Sequence, residues 1–542
     1  MRMICLLGVG ALLFWPQSKD ISGTWVAKRE TPMGEMELVY ELKVVNGKIT
    51  GAQKMPFGDA PIVDGKIEGD QFELIVEMES FGNLQRRTVT GKIVGDELHI
   101  VPAMPEPPPG MGPGGQGRPE GGGPPGARPP EPPGGGPGGA PGRFMSGPVI
   151  ARRGAPTPSY RAPSVDYRSL PKVELPTLKE LPSNGLAKTP PMGWNSWNKF
   201  RTNISDKTVR EIADAIVVSG MKDAGYLYIN IDDGWQGKRD ENGVLQPNPN
   251  FPSMKALARY VHSKGLKLGI YSSPGPRTCA GYEGSYGHEE IDARTWAMWG
   301  IDYLKYDWCS ASRVWKDEDM QAVYQWMGEE LRKTGGPIVY SLCQYGRAKA
   351  PEWGPKVGGN LWRTTFDIRD QWQAMANIGF SQSELAPYAR SGHWNDPDML
   401  EIGNGGMTAD EYRTHFSLWA ILAAPLIAGN DLRNMTTETK TILTNKEVIA
   451  VNQDKLGKAG FRLAQNGETE VWVRPLDKGE YAIGLFNRGA SEAEMTVKWA
   501  DLRLGGKPGA RDLWAHADRG RLADGFTAKV ASHGVVMIRV SR

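Results

Sequence analysis

The sequence predicts a multidomain chain: a small all-β domain, a (β/α)8 barrel and a C-terminal antiparallel β-sandwich. Three patterns carry this. Short strands and amphipathic helices alternate eight times over roughly 250 residues, the length of a (β/α)8 barrel. Period-two alternation without helices precedes and follows that region. A long Pro/Gly-rich tract separates the first all-β part from the rest. At 542 residues the chain is too long for one ordinary core. The boundaries read as 1–18 (export signal), 19–102 (β-meander or small barrel), 103–183 (linker), 184–459 (β/α barrel) and 460–542 (sandwich).

At the N-terminus, Arg2 gives a positive start, residues 4–15 form an apolar run, and Pro16-Gln17-Ser18 begins a polar segment. The run is too short to span a bilayer comfortably, and nothing later is a membrane-span candidate. The expected location is therefore secreted or periplasmic. Cys5 lies inside the run, so no lipoprotein site is read there. Cys279, Cys309 and Cys343 remain, enough for one bridge and one thiol.

In the first β region Leu38, Tyr40, Leu42 and Val44 alternate with Val39, Glu41 and Lys43, and Asn46-Gly47 is a hairpin signal. Gly47-Lys48-Ile49, Gly65-Lys66-Ile67 and Gly91-Lys92-Ile93 each read as a turn ahead of a short strand. The domain carries no recognisable chemistry; binding of glycan or a partner, and simple stabilisation, all fit it. Residues 103–154 hold runs such as Pro107-Pro108-Pro109-Gly110 and read as a solvated spacer. Residues 155–190 stay proline-rich and are expected to lie along the next domain.

Barrel strands are expected at 192–197, 226–233, 267–273, 303–308, 338–343, 361–366, 393–399 and 425–429. Ser205 should cap a helix whose Val209, Ile212, Ala213, Ile216 and Val217 form one apolar stripe. Further helices are read at 253–264, 291–299, 320–333 and 409–424. An open doubly wound sheet would need a Gly-rich phosphate turn after its first strand, and the sequence has none. Strands near 470–473, 481–487, 494–499, 527–530 and 535–540 make the sandwich.

A net charge of +2 from 64 basic and 62 acidic residues gives no drive towards nucleic acid or anionic lipid. The informative residues are at the strand ends: Asp232 and Asp233, Asp307, Asp367, Asp396 and Asp398, with Tyr271, Lys305, Gln344 and Arg363 at similar heights. In a barrel these ends converge on one mouth. Carboxylates there either cleave glycosidic bonds or hold a divalent metal. Metallohydrolase barrels recruit histidines, and only His393 lies near a strand end. Lys305 and Arg363 would oppose a cation but suit a sugar ring. Glycoside chemistry with no metal or cofactor is therefore the reading, Asp370 and Asp396 being taken as helix caps.

The segments Met192-Gly193-Trp194-Asn195-Ser196-Trp197, Ile231-Asp232-Asp233-Gly234-Trp235, Lys267-Leu268-Gly269-Ile270-Tyr271, Leu304-Lys305-Tyr306-Asp307 and Trp394-Asn395-Asp396-Pro397-Asp398-Met399 resemble glycoside hydrolase family 27, the α-galactosidases or melibiases. The resemblance covers about residues 184–542. It implies Asp307 as nucleophile and Asp367, in Trp362-Arg363-Thr364-Thr365-Phe366-Asp367-Ile368, as acid/base. It further implies Asp232 and Asp233 at O4 and O6 of the sugar, Lys305 at O3 and O4, and Arg363 on the O2 side. Trp197 and Tyr271 would be pocket wall, Asp398 a further lining acid, and Cys279–Cys309 a disulfide that leaves Cys343 reduced. The implied reaction is exo-acting and retaining, with carboxylates about 5–5.5 Å apart, on oligosaccharides or polysaccharides ending in α-galactose. Asp307 is expected ionised beside Lys305, and Asp367 protonated in a drier spot.

One segment departs from the pattern. Cys343-Gln344-Tyr345-Gly346 stands where animal members carry Glu-Trp-Pro at O2. Gln344 can still bond a hydroxyl, yet β-L-arabinopyranosidase, α-N-acetylgalactosaminidase and isomalto-dextranase activities stay open. Bulky Tyr345 argues against an N-acetyl group, and the Asp232-Asp233 pair favours galactose. The rival from another class is a carbohydrate-binding protein whose barrel has lost catalysis.

Overall fold

The computed structural model describes residues 19–31, 34–54, 59–80, 83–102, 148–155, 162 and 165–541. The expected export signal and most of the Pro/Gly-rich tract lie outside the described residues. The chain divides into two compact units, Met1–Ser159 and Tyr160–Arg542.

The first unit is a closed barrel of eight antiparallel strands: Gly23–Thr31, Gly34–Val45, Lys48–Lys54, Ala60–Glu68, Gln71–Ser80, Asn83–Val94, Glu97–Pro102 and Val149–Arg153. Each strand pairs with its chain neighbour, and the last returns to the first through Trp25↔Arg153 and Ala27↔Ala151. Alternate residues point inward, so Trp25, Tyr40, Ile49, Phe72, Leu74 and Ile100 fill the interior.

Two expectations are corrected here. The expected linker, 103–183, includes Val149–Arg153, but Val149 and Ala151 are buried and pair with Ile100 and Leu98, so the segment is the eighth strand. The Pro/Gly-rich tract is consequently a connection between two hydrogen-bonded neighbours of one barrel. Gly47 does lie in a turn, at φ +75°, but Gly65 and Gly91 sit inside the fourth and sixth strands. A β-carbon on Gly91 would fall 2.2 Å from the Phe72 ring, so this glycine makes room for an aromatic. The Gly-Lys-Ile repeat thus marks the inward Ile49, Ile67 and Ile93 rather than three turns.

In the second unit, residues 177–184 lie against the parallel barrel. The Lys179 N–H donates to Gln325 Oε1 (2.9 Å), and the Leu181 N–H to the Lys356 carbonyl (2.7 Å). The eight parallel strands are Met192–Asn195, Tyr228–Asn230, Lys267–Ser272, Tyr303–Asp307, Val339–Cys343, Leu361–Arg363, Trp394–Asp396 and Leu426–Ala428. They run in chain order, the eighth pairs with the first, and an isolated bridge, Leu400↔Ala428, joins the seventh side to the eighth.

Helices cover the outside. Ser205 caps Asp206–Val218 by accepting the Thr208 N–H, and Val209, Ile212, Ala213 and Ile216 are buried. Val217, expected on that stripe, is partly exposed at its edge. Ser253 caps Met254–Ser263, and Thr408 with Glu411 forms a capping box on Ala409–Ile421. Inside, Tyr228, Tyr303, Val339, Leu361 and Trp394 form an apolar floor. Two residues further along each strand the inward positions become Asn230, Lys305, Ser341, Arg363 and Asp396. The strand period of two therefore carries the lumen from apolar floor to polar mouth.

The C-terminal sandwich has a six-stranded sheet, with Phe461–Asn466, Thr469–Pro475, Tyr481–Asn487, Val535–Ser541, Gly509–Asp512 and Ala517–Arg521 in that spatial order. A two-stranded ribbon, Ala493–Lys498 with Gly525–Val530, faces it across Val473, Ile483, Val497 and Ile538.

Candidate active site

Asp307 ends the fourth strand, two residues beyond Lys305 and on the same inward face. Its carboxylate is buried and takes two phenol donors: Tyr345 O–H at 2.6 Å on Oδ1 and Tyr271 O–H at 3.1 Å on Oδ2. Lys305 Nζ instead donates to Asp232 Oδ2 at 2.8 Å, and Asn195 Nδ2 donates to the same oxygen at 2.8 Å. Burial opposes the Lys305 charge, but Asp232 and its acidic neighbours outweigh it and hold the ammonium well above the usual lysine range.

Asp233 follows Asp232 beyond the second strand. Its Oδ2 accepts the Ala280 N–H at 2.6 Å, and its buried Oδ1 has no protein partner. Burial raises this carboxyl to about 7. The loop carrying Ala280 is tied beside Asp307 by the Cys279–Cys309 disulfide, while Cys343 is a buried free thiol. Cys279, Asp307 and Cys309 also cluster closely enough to suggest a metal site. Because the two sulfurs are bonded to each other, that cluster offers only one carboxylate.

On the sixth strand Arg363 is the hub. Its Nη2 donates to Asp367 Oδ1 (3.1 Å) and to the Thr365 carbonyl (3.1 Å), and pairs with Asp398 Oδ2 (3.1 Å). Asp398 Oδ2 also accepts the Ile368 N–H at 2.8 Å. The loop carrying Asp367 is thereby pinned on both sides. Gln344 Nε2 donates to the Arg363 carbonyl at 2.7 Å, leaving a buried Oε1 without a protein partner. Trp197 follows the first strand, and the Arg201 guanidinium lies 5.3 Å from its ring.

The structure reverses the expected order of the two acids. Asp367 is not in a dry spot: its side chain is 56% exposed. Desolvation pushes its carboxyl up, but Arg363, Lys305 and Arg201 outweigh it and hold the group below the ordinary range. For Asp307, burial raises the pKa to about 6 against the pull of Lys305 and Tyr345, and the Asp367 charge adds to the rise. The helix-cap reading also fails for its two candidates. Asp370 accepts from the Gly406 N–H and the Tyr412 O–H, while the capping position of the adjacent helix, Trp372–Gly379, is Gln371, which makes no side-chain cap. Asp396 is half-buried at a strand end and accepts the Asp398 N–H at 2.9 Å.

Two residues of the site were not identified from sequence. Tyr345 reads from sequence only as a bulky residue, yet it holds the Asp307 carboxylate from a left-handed backbone conformation (φ 60°). The following Gly346 (φ +75°) was the available signal: a β-carbon there would meet the Thr364 carbonyl at 2.2 Å. Arg201 had no such signal, because its proximity to the acids depends on how the chain leaves the first strand.

A parallel barrel that presents paired acids, a lysine and aromatic walls at one mouth defines a glycoside hydrolase. Residues 189–454 match the family model described as "Alpha galactosidase A", and residues 466–540 match "Alpha galactosidase C-terminal beta sandwich domain". The chain is 47% identical to alpha-galactosidase A of Cellvibrio japonicus, over 66% of this chain and 93% of that protein. It is 49% identical to alpha-galactosidase 2 of Arabidopsis thaliana, over 67% and 92% respectively. The crystal structure of alpha-galactosidase I from Mortierella vinacea is 39% identical, with a TM-score of 0.64, covering 66% of this chain and 98% of that one. The chain belongs to the α-galactosidase (melibiase) family, glycoside hydrolase family 27.

Proposed function

We propose that the protein is an exo-acting, retaining α-galactosidase that removes terminal α-galactosyl residues from oligosaccharides or polysaccharides. The observation that carries this is Asp307, buried at the mouth between two phenol donors, with Asp367 held by Arg363 at the end of the sixth strand. Asp307 attacks the anomeric carbon while Asp367 gives its proton to the departing oxygen. Asp367 then takes a proton from the water that releases the sugar, so configuration is kept. Asp232, Asp233, Lys305, Arg363, Gln344 and Asp398 bind the galactosyl hydroxyls. Trp197 and Tyr271 wall the ring.

The reactive enzyme carries one proton on the acid pair. Asp307 is the more basic member in the empty site, so that proton must reside on Asp367 when the sugar is bound. An arriving pyranose expels water from the half-exposed Asp367, which favours its neutral form. Incubation with p-nitrophenyl α-galactoside, beside p-nitrophenyl β-L-arabinopyranoside and α-N-acetylgalactosaminide, tests the reading. The expected outcome is preferred hydrolysis of the first, with α-galactose as the initial product by NMR. No release from any of the three would leave a carbohydrate-binding protein.

Export by residues 1–18 belongs to the same proposal, and N-terminal sequencing of the mature protein tests it. The first barrel is filled by its own side chains, so a glycan or partner would meet its outer surface.

A further inference from the structure

We propose that Phe366 is the platform for the leaving group: the ring of the sugar joined to galactose stacks on its exposed face. The proposal rests on the α-galactosidase reading and adds to it the chemical class of what is cleaved away. Phe366 immediately precedes Asp367, the group that protonates the departing oxygen. Its side chain is 71% exposed, whereas nearly all other aromatic rings among the described residues are largely covered. A single exposed apolar residue needs no explanation by itself. Its setting supplies one.

The Phe366 ring stacks on Tyr345, with centroids 5.8 Å apart and planes 16° from parallel. Tyr345 in turn donates to Asp307 at 2.6 Å. Phe366 is therefore one ring away from the nucleophile and one residue away from the acid/base. Its loop is fixed at several points: Thr364 bonds Gln382 Oε1 (2.7 Å), the Thr365 carbonyl bonds Arg363, and the Ile368 N–H bonds Asp398. One face is occupied by Tyr345 and the rest of the ring is open at the mouth. A pyranose presents an apolar C–H face to such a ring, and binding there removes apolar surface on both partners from water. Because the loop is already ordered, little conformational freedom is lost in using it.

The rival is that Phe366 only buttresses Tyr345 and acts through Asp307. Two substrates separate these roles. α-Galactosyl fluoride has no ring in its leaving group, whereas melibiose, galactose α-1,6-linked to glucose, has one. For Phe366→Ala, kcat/KM on melibiose should fall about tenfold further than on the fluoride, chiefly through KM, the scale of one well-packed aromatic contact. Phe366→Trp should keep the wild-type ratio between the two substrates. An equal loss on both substrates overturns the proposal in favour of the buttress, and no loss on either overturns it outright. If the wild type cleaves neither substrate, the α-galactosidase reading fails first.

Discussion

The chain contains two eight-stranded barrels, and they use their strands in opposite ways. In the antiparallel barrel every other residue points into an interior filled by Trp25, Tyr40, Phe72 and their neighbours. Among the described residues that interior is apolar, with no polar cluster converging in it. In the parallel barrel the apolar floor occupies only one end. Each strand must return through a helix, which gathers all eight carboxyl ends at one rim with long loops free to vary. Asp232, Lys305, Asp307 and Arg363 come together there from the second, fourth and sixth strands. A ring of eight strands is a scaffold in both cases; connectivity decides whether it also makes a site.

Exchange of the nucleophile should break this contrast most severely. Asp307→Asn is expected to lower kcat by more than about 10⁴ while the fold survives, because removing a covalent nucleophile acts on that scale. Circular dichroism beside the aryl galactoside assay checks it. Asp367→Asn should cost roughly 10²–10⁴ on sugar leaving groups and far less on a nitrophenyl group, which needs little protonation. Azide should restore part of that rate and give the α-galactosyl azide, as expected where a small anion that needs no base attacks the β-linked glycosyl-enzyme in place of water.

Tyr345→Phe sharpens the comparison at one hydrogen bond. Losing a donor to a charged group is worth about 10–100-fold in kcat/KM. The pH profile of the wild type should be bell-shaped and acidic. Above about 6 the pair loses its last proton, so the acid is gone; below the ordinary carboxylate range both groups are protonated, so the nucleophile is gone. Because Tyr345 holds Asp307 down, its loss should move the alkaline limb upward. A limb unmoved in Tyr345→Phe would mean that the bond contributes nothing to the titration.

The smallest kinetic effect belongs to the other barrel. Gly91→Leu drives a side chain into Phe72 and should destabilise the first unit by about 1–3 kcal/mol. Aryl galactoside kinetics should not change. A separate unfolding transition that moves while kcat stays constant is the expected calorimetric result, and a matching drop in kcat would contradict it.

Most of the architecture was legible because it depends on local patterns. Ser205 and Ser253 cap their helices as read, and all eight parallel strands fall within the expected stretches. The mouth was legible because strand-end residues have nowhere else to go. What escaped depends on long-range approach. Gly65 and Gly91 look like turn residues, but they make room for packing inside strands, and only the tertiary partner distinguishes the two uses. Val149–Arg153 is too short to stand out after so much proline and glycine. The order of the acids is not legible because Arg363 on the sixth strand and Arg201 beyond the first converge on Asp367, and no spacing in the chain reveals that sum.

The position of the eighth strand of the first barrel has a practical consequence for integrity. Val149–Arg153 is hydrogen-bonded on both sides, to Glu97–Pro102 and to Gly23–Thr31. A protease cutting anywhere in 103–147 would sever the polypeptide without releasing a fragment, since the new ends remain stitched into one closed sheet. Clipped enzyme would then run as two bands under denaturing conditions and as a single active species in a native gel.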